Sequence, residues 1–600
     1  MHKFLNNIGN SINKAWDDLA HRDKHLPTTN NPPTQAQMPP YQQYPQQYPQ
    51  QYPPVQYSQY QNQQAQVIDK NHKYYAQYQY TNQPPYSPVG HCYQGTASDN
   101  SYEHYRMPPG TIVHSDYNNN INNSSYPTRP PPSIPTTHDN NKGILQPIVG
   151  AYGDGVHDDS KALQKYFNQA YQNQGKFIIP PGRYLLNSQI KLNRDNIELI
   201  GNQNVQFIGN LPLWSNRGQH EGVIVEAEYL FVIKANNVCL DSLNLYNAND
   251  KAFSSCAIWH QGNNLTMTNC VLDNFNNALV IGTLNGDAKN VPNTFQNINV
   301  SNNRITNVMG VPEMAESSCY GDGICFFGCK DVVMSGNYVH AKPGYTPRNG
   351  MNSGPEGYMT SSNVKFLNNI IRGDWDYPMT TEGGEYCQVS NNDIEGRCVT
   401  AIIERGRFVT VSGNRIHITG RNRDAQGQSA AINFYGVDQG EISNNTITGT
   451  AQYGIFLKKS HFENPHGTNT TVQNNHIDGD FVVGFFCCHI NQCHIKSNKF
   501  TTKSLDKGSV GLQVWQSNNL HAQENNFQLP EGTACTCAGS TNINISSNGM
   551  MNSRAGFYVS QQSKQITLQH NDLSGCRDGG FGQSSDNECV VVSQNHGYQN

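Results

Sequence analysis

Short segments that alternate apolar and polar residues follow one another from about Ile197 to the end of the chain. Their apolar residues recur at every second position, which predicts β-strands rather than helices. Each segment ends in a polar pair whose second member is asparagine, as in INVSNNRI, VVMSGNYV, VKFLNNII, CQVSNNDI, VTVSGNRI and GEISNNTI. This asparagine recurs with a minimum spacing of 22 to 23 residues, at positions 303, 337, 369, 392, 414, 445, 475, 498, 525, 548 and 571.

A repeat of this length holds two or three short strands, which together make one coil of a parallel β-helix. About a dozen such coils fit into the chain, with Ile, Val, Leu, Phe and Cys side chains filling the interior. Asparagine suits the recurring position because it tolerates the left-handed backbone of a tight turn. Stacked asparagine side chains can also bond to one another along the axis. The pattern therefore predicts an all-β solenoid with an asparagine ladder.

The segment before the repeat has the pattern of strand, turn, helix and strand. Asp158 or Asp159 is expected to cap the helix, because a carboxylate satisfies free N–H groups at a helix start. The expected apolar face of this helix consists of Leu163, Tyr166, Phe167 and Ala170.

The stretch YGDGVHDDSKALQKYF, followed by GKFIIPPGRYLL, resembles the start of pectate-lyase-like proteins. More narrowly, it is similar to the rhamnogalacturonase/epimerase-like branch, which also includes phage tailspikes. The resemblance covers about residues 144–600 and implies a right-handed, single-stranded parallel β-helix with an N-terminal capping helix. It implies a polysaccharide hydrolase, lyase or epimerase, although some members only bind. The resemblance to tailspikes leaves a homotrimer open.

Two regions of different character precede the β-helix domain, which we assign to residues 141–600. Residues 1–26 place Phe4, Ile8, Ile12, Trp16 and other apolar residues on one face of a predicted amphipathic helix. Residues 27–140 are rich in Gln, Pro and Tyr and have too few aliphatic residues to form a core, so we expect a disordered tail. Either region could mediate self-association or docking to a partner.

The overall composition excludes several classes of function. The formal net charge of −5 over 600 residues and the absence of a basic stripe argue against nucleic-acid binding. No run of 18 apolar residues and no secretory signal are found. These features predict a cytoplasmic, virion-associated or non-classically exported protein. The 16 cysteines lack zinc-finger spacing, and no calcium-loop pattern occurs, so we expect neither a metal nor another cofactor.

Long polar insertions interrupt the repeat between about residues 283 and 430. Loops of this length on a rigid scaffold commonly carry function, and loops stacked on one side would wall a groove suited to a polymer. Two coils without insertions lie among them and contain RGDWDYPMTTEGGEY and IIERGR. These two coils hold the densest cluster of acidic and aromatic residues in the repeat.

Four acids of this cluster are candidate catalytic residues: Asp374, Asp376, Glu382 and Glu404. Glu382 and Glu404 occupy matching positions 22 residues apart, so we expect them to stack on adjacent coils at the floor of the groove. Two carboxylates at such a distance suit glycoside hydrolysis, in which one donates a proton and the other activates water or attacks carbon.

Elimination or epimerisation of a uronate would instead need a base together with cations that stabilise an enolate. These groups could come from Arg372, Arg405, Arg407, His340 and Tyr377. We favour hydrolysis, but the sequence does not separate it from elimination. Trp375 and Tyr377 offer flat faces to a sugar. The candidate substrate-binding residues are Trp375, Tyr377, Arg405, Arg407, Asp322 and His340.

The leading hypothesis is a carbohydrate-active enzyme that cleaves or modifies a polysaccharide in a groove along the β-helix. The alternative is a non-catalytic glycan-binding or structural surface or virion protein, attached through its N-terminal region. An enzyme would release product, whereas the alternative would bind oligosaccharide without turnover.

Overall fold

The computed structural model describes residues 146–169, 172, 174–211, 229–249, 256–282, 295–310, 321–354, 361–420, 429–459, 468–503 and 508–597. The amphipathic helix predicted at 1–26 and the tail predicted at 27–140 lie outside the described residues. No helix within the described ranges is long and apolar enough to cross a membrane.

The described residues form a parallel β-helix in which three sheets run along one axis, and each strand pairs in parallel with its equivalents in neighbouring coils. This confirms the predicted fold. Sheet 1 contains the strands Lys176–Ile178, Ile197–Ile200, Val238–Asp241, Leu265–Thr268, Phe295–Ser301, Cys329–Ser335, Ser362–Leu367, Asp438–Ser443, Thr468–Gln473, Asn491–Lys496, Asn518–Gln523, Thr541–Ser546, Lys564–Gln569 and Glu588–Ser593.

Sheet 2 follows sheet 1 in each coil. Its strands are Asp154–Asp158, Gly182–Leu186, Val205–Gly209, Asn244–Asn247, Val271–Asp273, Arg304–Val308, Tyr338–Ala341, Ile370–Arg372, Asp393–Cys398, Arg415–Gly420, Lys499–Thr502 and Asn526–Gln528. Sheet 3 completes the coil with Ile190–Leu192, Tyr229–Ile233, Cys256–His260, Asn277–Ile281, Asp322–Phe326, Asn349–Ser353, Ala430–Tyr435, Val510–Trp515, Thr533–Ala538, Ala555–Ser560 and Phe581–Gln583.

Four long strands turn a corner and belong to two sheets. Tyr377–Ser390 and Thr400–Ser412 run from sheet 3 into sheet 1. Thr446–Lys458 and His476–Cys488 run from sheet 2 into sheet 3. With its fourteen own strands and two shared ones, sheet 1 has sixteen strands in the described part of the chain, so the predicted dozen coils was too few.

The helix Ser160–Phe167 covers the N-terminal end of the coils and buries Leu163 and Phe167. Asp159 occupies the capping position, but its carboxylate accepts bonds from the backbone N–H groups of residues 152 and 153 instead. Asp158 accepts the N–H of Ser160 at 3.0 Å. Of the two candidates for the cap, Asp158 therefore accepts a hydrogen bond from the start of the helix, and Asp159 accepts hydrogen bonds from the preceding turn.

The asparagine ladder is present at the corner between sheets 1 and 2. Asn392, for example, donates from both its backbone N and its Nδ2 to Oδ1 of Asn414, at 2.9 and 3.0 Å. Asn414 does the same to Asn445 in the next coil. The recurring asparagine is thus fully bonded and buried.

The left-handed backbone at this corner belongs to the residue before the ladder asparagine, which corrects the expectation above. Asn391 has φ +56° and Gly413 has φ +67°. The pair therefore divides two tasks: its first member adopts the turn conformation, and its second bonds along the axis.

Candidate functional site

The outward face of sheet 3 carries two apolar clusters that are separate from the main core. Cys256 and Trp259 belong to the first cluster, and Val483 and Phe486 to the second. The strand register puts Cys256 and Val483 in one column along the axis, and Trp259 and Phe486 in another. These columns therefore mark the outward positions of sheet 3.

Between the two clusters, the outward columns carry mainly polar residues. We call this region the polar window. It consists of Asp322, Arg348, Asn349, Asn352, Tyr377, Thr380, Glu382 and Arg405.

Four of the predicted long loops connect sheet 3 to the neighbouring sheets on both sides of the polar window. They leave or enter sheet 3 between residues 281 and 295, 308 and 322, 353 and 362, and 420 and 430. Most of their residues lie outside the described ranges. Their role as the walls of a groove stays a prediction.

Asp322 and Arg348 form the strongest polar contact in the window. Nε of Arg348 lies 3.1 Å from Oδ1 of Asp322, and Nη2 lies 2.5 Å from Oδ2. Asn349 also donates to Oδ1, at 3.1 Å. Because Asp322 is buried, this bidentate pairing neutralises a charge that water does not reach freely.

Asn352 presents an amide oxygen that has no hydrogen-bond partner among the described residues. Its side chain is only 6% exposed, and Nδ2 donates to Sγ of Cys325 at 3.4 Å. Asn433, in the same column three coils further along, also has an unpartnered buried Oδ1 among the described residues. An unsatisfied buried acceptor costs about 1–3 kcal/mol, so both oxygens suit a ligand that donates hydrogen bonds.

Glu382 and Glu404 do not stack as predicted. The register pairs Thr381 with Glu404, and Gly384 with Gly406, because the strand is shifted by a bulge between Thr381 and Gly384. A shift of one residue turns a side chain to the opposite face of a sheet. Glu382 is consequently on the outside, whereas Glu404 points into the interior.

The interior position of Glu404 makes it a buried acid. Its Oε1 accepts a bond from the Thr381 hydroxyl at 3.1 Å, and its Oε2 has no partner among the described residues. The side chain is completely buried beside the column of Phe434. Burial raises the pKa of Glu404 well above its ordinary value. Glu404 cannot act on a substrate outside the coil, which corrects its predicted role.

The DWD segment forms the turn that leads from sheet 2 into sheet 3. Trp375 is fully buried in the main core and donates from Nε1 to the carbonyl of Arg372 at 2.9 Å. Its faces are therefore not accessible to a sugar. Asp376 is buried at this turn, while Asp374 is exposed and accepts the N–H of Arg397 at 3.3 Å.

The remaining candidates lie on other faces. His340 and Arg372 are neighbours on sheet 2, where Arg372 pairs with Asp393 at 2.9 Å. Burial and then the charges of Arg304 and Arg372 lower the pKa of His340. Arg407 is on sheet 1. The structure thus unites only four predicted site residues in the window: Asp322, Tyr377, Glu382 and Arg405.

Sequence reasoning missed Arg348, Asn349, Asn352 and Thr380. The first three lie in a segment that was interpreted as one long loop, although Asn349–Ser353 is a strand of sheet 3. The available signal was the spacing of three residues between Asn349 and Asn352, which repeats that between Asp322 and Cys325 one coil earlier.

A metal site is not indicated within the described ranges, where no group of three or more His, Cys, Asp or Glu side chains could hold an ion. The fourteen cysteines of these ranges are all free.

Comparisons with known proteins agree with this architecture. Residues 149–427 match the family described as rhamnogalacturonase A/epimerase, pectate lyase-like, and residues 360–527 and 430–596 match the right-handed β-helix region. No curated protein matches the chain in sequence.

Several solved structures resemble the chain in fold. The surface adhesin PfbA of Streptococcus pneumoniae is 14% identical, with 74% of this chain and 90% of that chain covered, and a TM-score of 0.35. An N-terminal fragment of bacteriophage phi29 gene product 12 is 15% identical; the match covers 75% of this chain and 70% of that chain, with a TM-score of 0.39. The A-module of the mannuronan C-5 epimerase AlgE6 of Azotobacter vinelandii is 13% identical; the match covers 74% of this chain and 97% of that chain, with a TM-score of 0.29. The family matches and the three-sheet architecture agree on a right-handed parallel β-helix, and residues 149–427 are similar to the rhamnogalacturonase A/epimerase, pectate lyase-like family.

Proposed function

We propose that the polar window binds a uronate-containing polysaccharide and that Glu382 initiates its cleavage by β-elimination. The observation that carries this proposal is the corner of sheet 3, where the bulge sets Glu382 and Arg405 opposite each other on the outside of adjacent coils. This arrangement supplies a base and a cation side by side. The second carboxylate predicted for hydrolysis, Glu404, points into the core.

Hydrolysis is disfavoured by the distance between the two acids that do face the window. Asp322 and Glu382 are two coils and five strand positions apart. At about 4.8 Å per coil and 3.3 Å per residue, their backbones are roughly 10 Å apart along the axis and 16 Å across it. A hydrolase pair holds its carboxyl groups about 5 to 9.5 Å apart.

In the proposed reaction, the carboxylate of Glu382 removes the proton from C5 of a uronate. The electrons of that C–H bond form the C4–C5 double bond, and the bond from C4 to the glycosidic oxygen breaks. The departing oxygen takes a proton from water. Arg405 would stabilise the negative charge that develops on the uronate carboxylate, and its guanidinium is held 4.8 Å from the ring centre of Tyr435.

The rest of the window would bind the sugar chain. The oxygen of Asn352 accepts a hydrogen bond from a sugar hydroxyl, and Oδ2 of Asp322 retains capacity for one further donor beside Arg348. The family description, which includes epimerase and pectate-lyase-like proteins, supports a carbohydrate substrate.

The full-length protein should be incubated with polygalacturonate, alginate, rhamnogalacturonan and neutral xylan. New reducing ends and the ultraviolet absorbance of unsaturated uronate should be followed in parallel. We expect both signals with a uronate polymer, and we expect Glu382→Gln to reduce the rate by about 100-fold, the usual contribution of one acid–base group. Arg405→Gln should cause a similar loss.

The matched control is Glu524→Gln, which changes an exposed carboxylate at the corner after a strand of sheet 1 and should leave the rate unchanged. New reducing ends without the absorbance of unsaturated uronate would show that the protein hydrolyses the polymer rather than cleaving it by elimination. Oligosaccharide binding without either product would favour a glycan-binding protein, and full activity of Glu382→Gln would remove Glu382 from the chemistry.

A further inference from the structure

A column of left-handed residues runs along the first positions of sheet 1, one in each coil. In most coils this residue is Asn, Asp or Gln, the types that adopt positive φ most readily after glycine. The members of these types are Gln174, Asn196, Asn237, Asn264, Asn297, Asp331, Asn363, Gln439, Asn469, Gln492, Asn519, Asn542 and Gln565, and the last coil carries Cys589.

Two adjacent coils place aromatic residues in this column instead. Tyr386 has φ +57° and Phe408 has φ +56°. Positive φ is unfavourable for bulky side chains, and such strain commonly marks functional positions. These are also the two coils that carry Glu382 and Arg405, only a few residues before the aromatic pair.

The two rings form a parallel stack. Their centres are 4.7 Å apart and their planes differ by 5°. One face of Phe408 is covered by Tyr386, and the guanidinium of Arg407 lies 5.2 Å from its ring centre. Tyr386 is 56% exposed, so it provides most of the accessible aromatic surface.

Charged groups border the aromatic pair. Arg407 lies 4.0 Å from Glu385 and 3.3 Å from Asp438. Glu385 and Arg407 are about half exposed, so their polar atoms can exchange water for other partners. An aromatic face bordered by carboxylates and a guanidinium suits a sugar, whose C–H face is apolar and whose rim carries hydroxyl groups.

We propose that Tyr386, Phe408, Glu385, Arg407 and Asp438 form an accessory binding site for a neutral sugar residue. The two carboxylates exceed the one cation, so the border favours an uncharged sugar over a uronate. The site lies beyond the corner from the polar window, on sheet 1, and is separate from the groups assigned to catalysis. It does not depend on the reaction proposed for Glu382.

The test compares the full-length protein with Tyr386→Asn and Phe408→Asn. Asparagine is the residue that other coils carry in this column, so both variants should fold and should keep or raise the thermal midpoint. Binding to cellohexaose, maltohexaose and xylohexaose should be measured by calorimetry, and binding to the parent neutral polysaccharides by affinity electrophoresis. We expect about tenfold weaker binding of at least one of these sugars, as for loss of one aromatic contact.

Gln565→Asn provides the matched control, because it changes the same column several coils away from the aromatic pair. Turnover by Tyr386→Asn should stay at the wild-type level on short substrates, which separates this site from the proposed catalytic one. The proposal is overturned if wild-type protein binds none of the neutral sugars. It is also overturned if Tyr386→Asn binds them unchanged and merely loses thermal stability, since the pair would then be structural.

Discussion

Replacement of Glu404 by glutamine is expected to raise the free energy of unfolding at neutral pH and to make that free energy less dependent on pH. Burial raises the pKa of Glu404 in the folded protein, whereas the unfolded chain ionises this group at about pH 4.5. Folding above that pH therefore requires the uptake of one proton. Wild-type stability should fall by about 1.4 kcal/mol for each pH unit above pH 4.5, until the pH reaches the folded pKa.

Denaturant unfolding of the wild type and of Glu404→Gln should be measured from pH 4 to pH 8. The difference should be small at pH 4, where the acid is neutral in both states, and should grow as the pH rises above about 4.5. Glu524→Gln, at an exposed carboxylate, should follow the wild-type curve. Parallel pH profiles for wild type and Glu404→Gln would show that Glu404 ionises in the native state.

Replacement of Asn414 by leucine is expected to destabilise the domain by more than about 4 kcal/mol. The change removes the acceptor for two donors of Asn392 and the donor for Oδ1 of Asn445. It also removes the donor for the carbonyl of Val389. Four buried polar groups lose a partner, and a buried group that is left with no partner costs about 1–3 kcal/mol.

The thermal midpoint and the denaturant midpoint measure this effect. Asn391→Gly is the matched control, because it alters the other asparagine of the turn and keeps the positive φ that the corner requires. Its stability should stay close to that of the wild type. Equal losses in the two variants would mean that the turn conformation, rather than the ladder, makes the asparagine necessary.

The fold could be predicted from the sequence because its signal is repeated in every coil. The alternation of apolar residues and the spacing of the ladder asparagines both depend on local geometry that recurs many times, so single exceptions do not obscure it. The predicted ladder bonds, such as that from Asn392 to Asn414, follow from this regularity.

The candidate site was only partly predictable because it depends on departures from regularity. Glu382 and Glu404 are 22 residues apart, like the paired Gly384 and Gly406. A bulge between Thr381 and Gly384 shifts the register by one residue, so that Glu382 and Glu404 point to opposite faces of the sheet. Trp375 stands in a polar turn, yet the turn directs its ring inward. Asn349 and Asn352 were not recognised as site residues because their short strand, Asn349–Ser353, lies between two connections in a segment that was interpreted as one long loop.

The ladder of asparagines also gives the domain a direction. From Asn303 to Asn571, each side-chain amide donates to the asparagine of the following coil, and from Asn337 onward its oxygen accepts from the asparagine of the preceding coil. The amide dipoles therefore point the same way and add along the axis, with their positive ends toward the C-terminal coils. The two ends of this line are chemically unlike, one offering an acceptor and the other a donor. The N-terminal end of the line lies inside the domain, where Oδ1 of Asn303 accepts the backbone N–H of Cys270, so the ladder can be extended only from its C-terminal end.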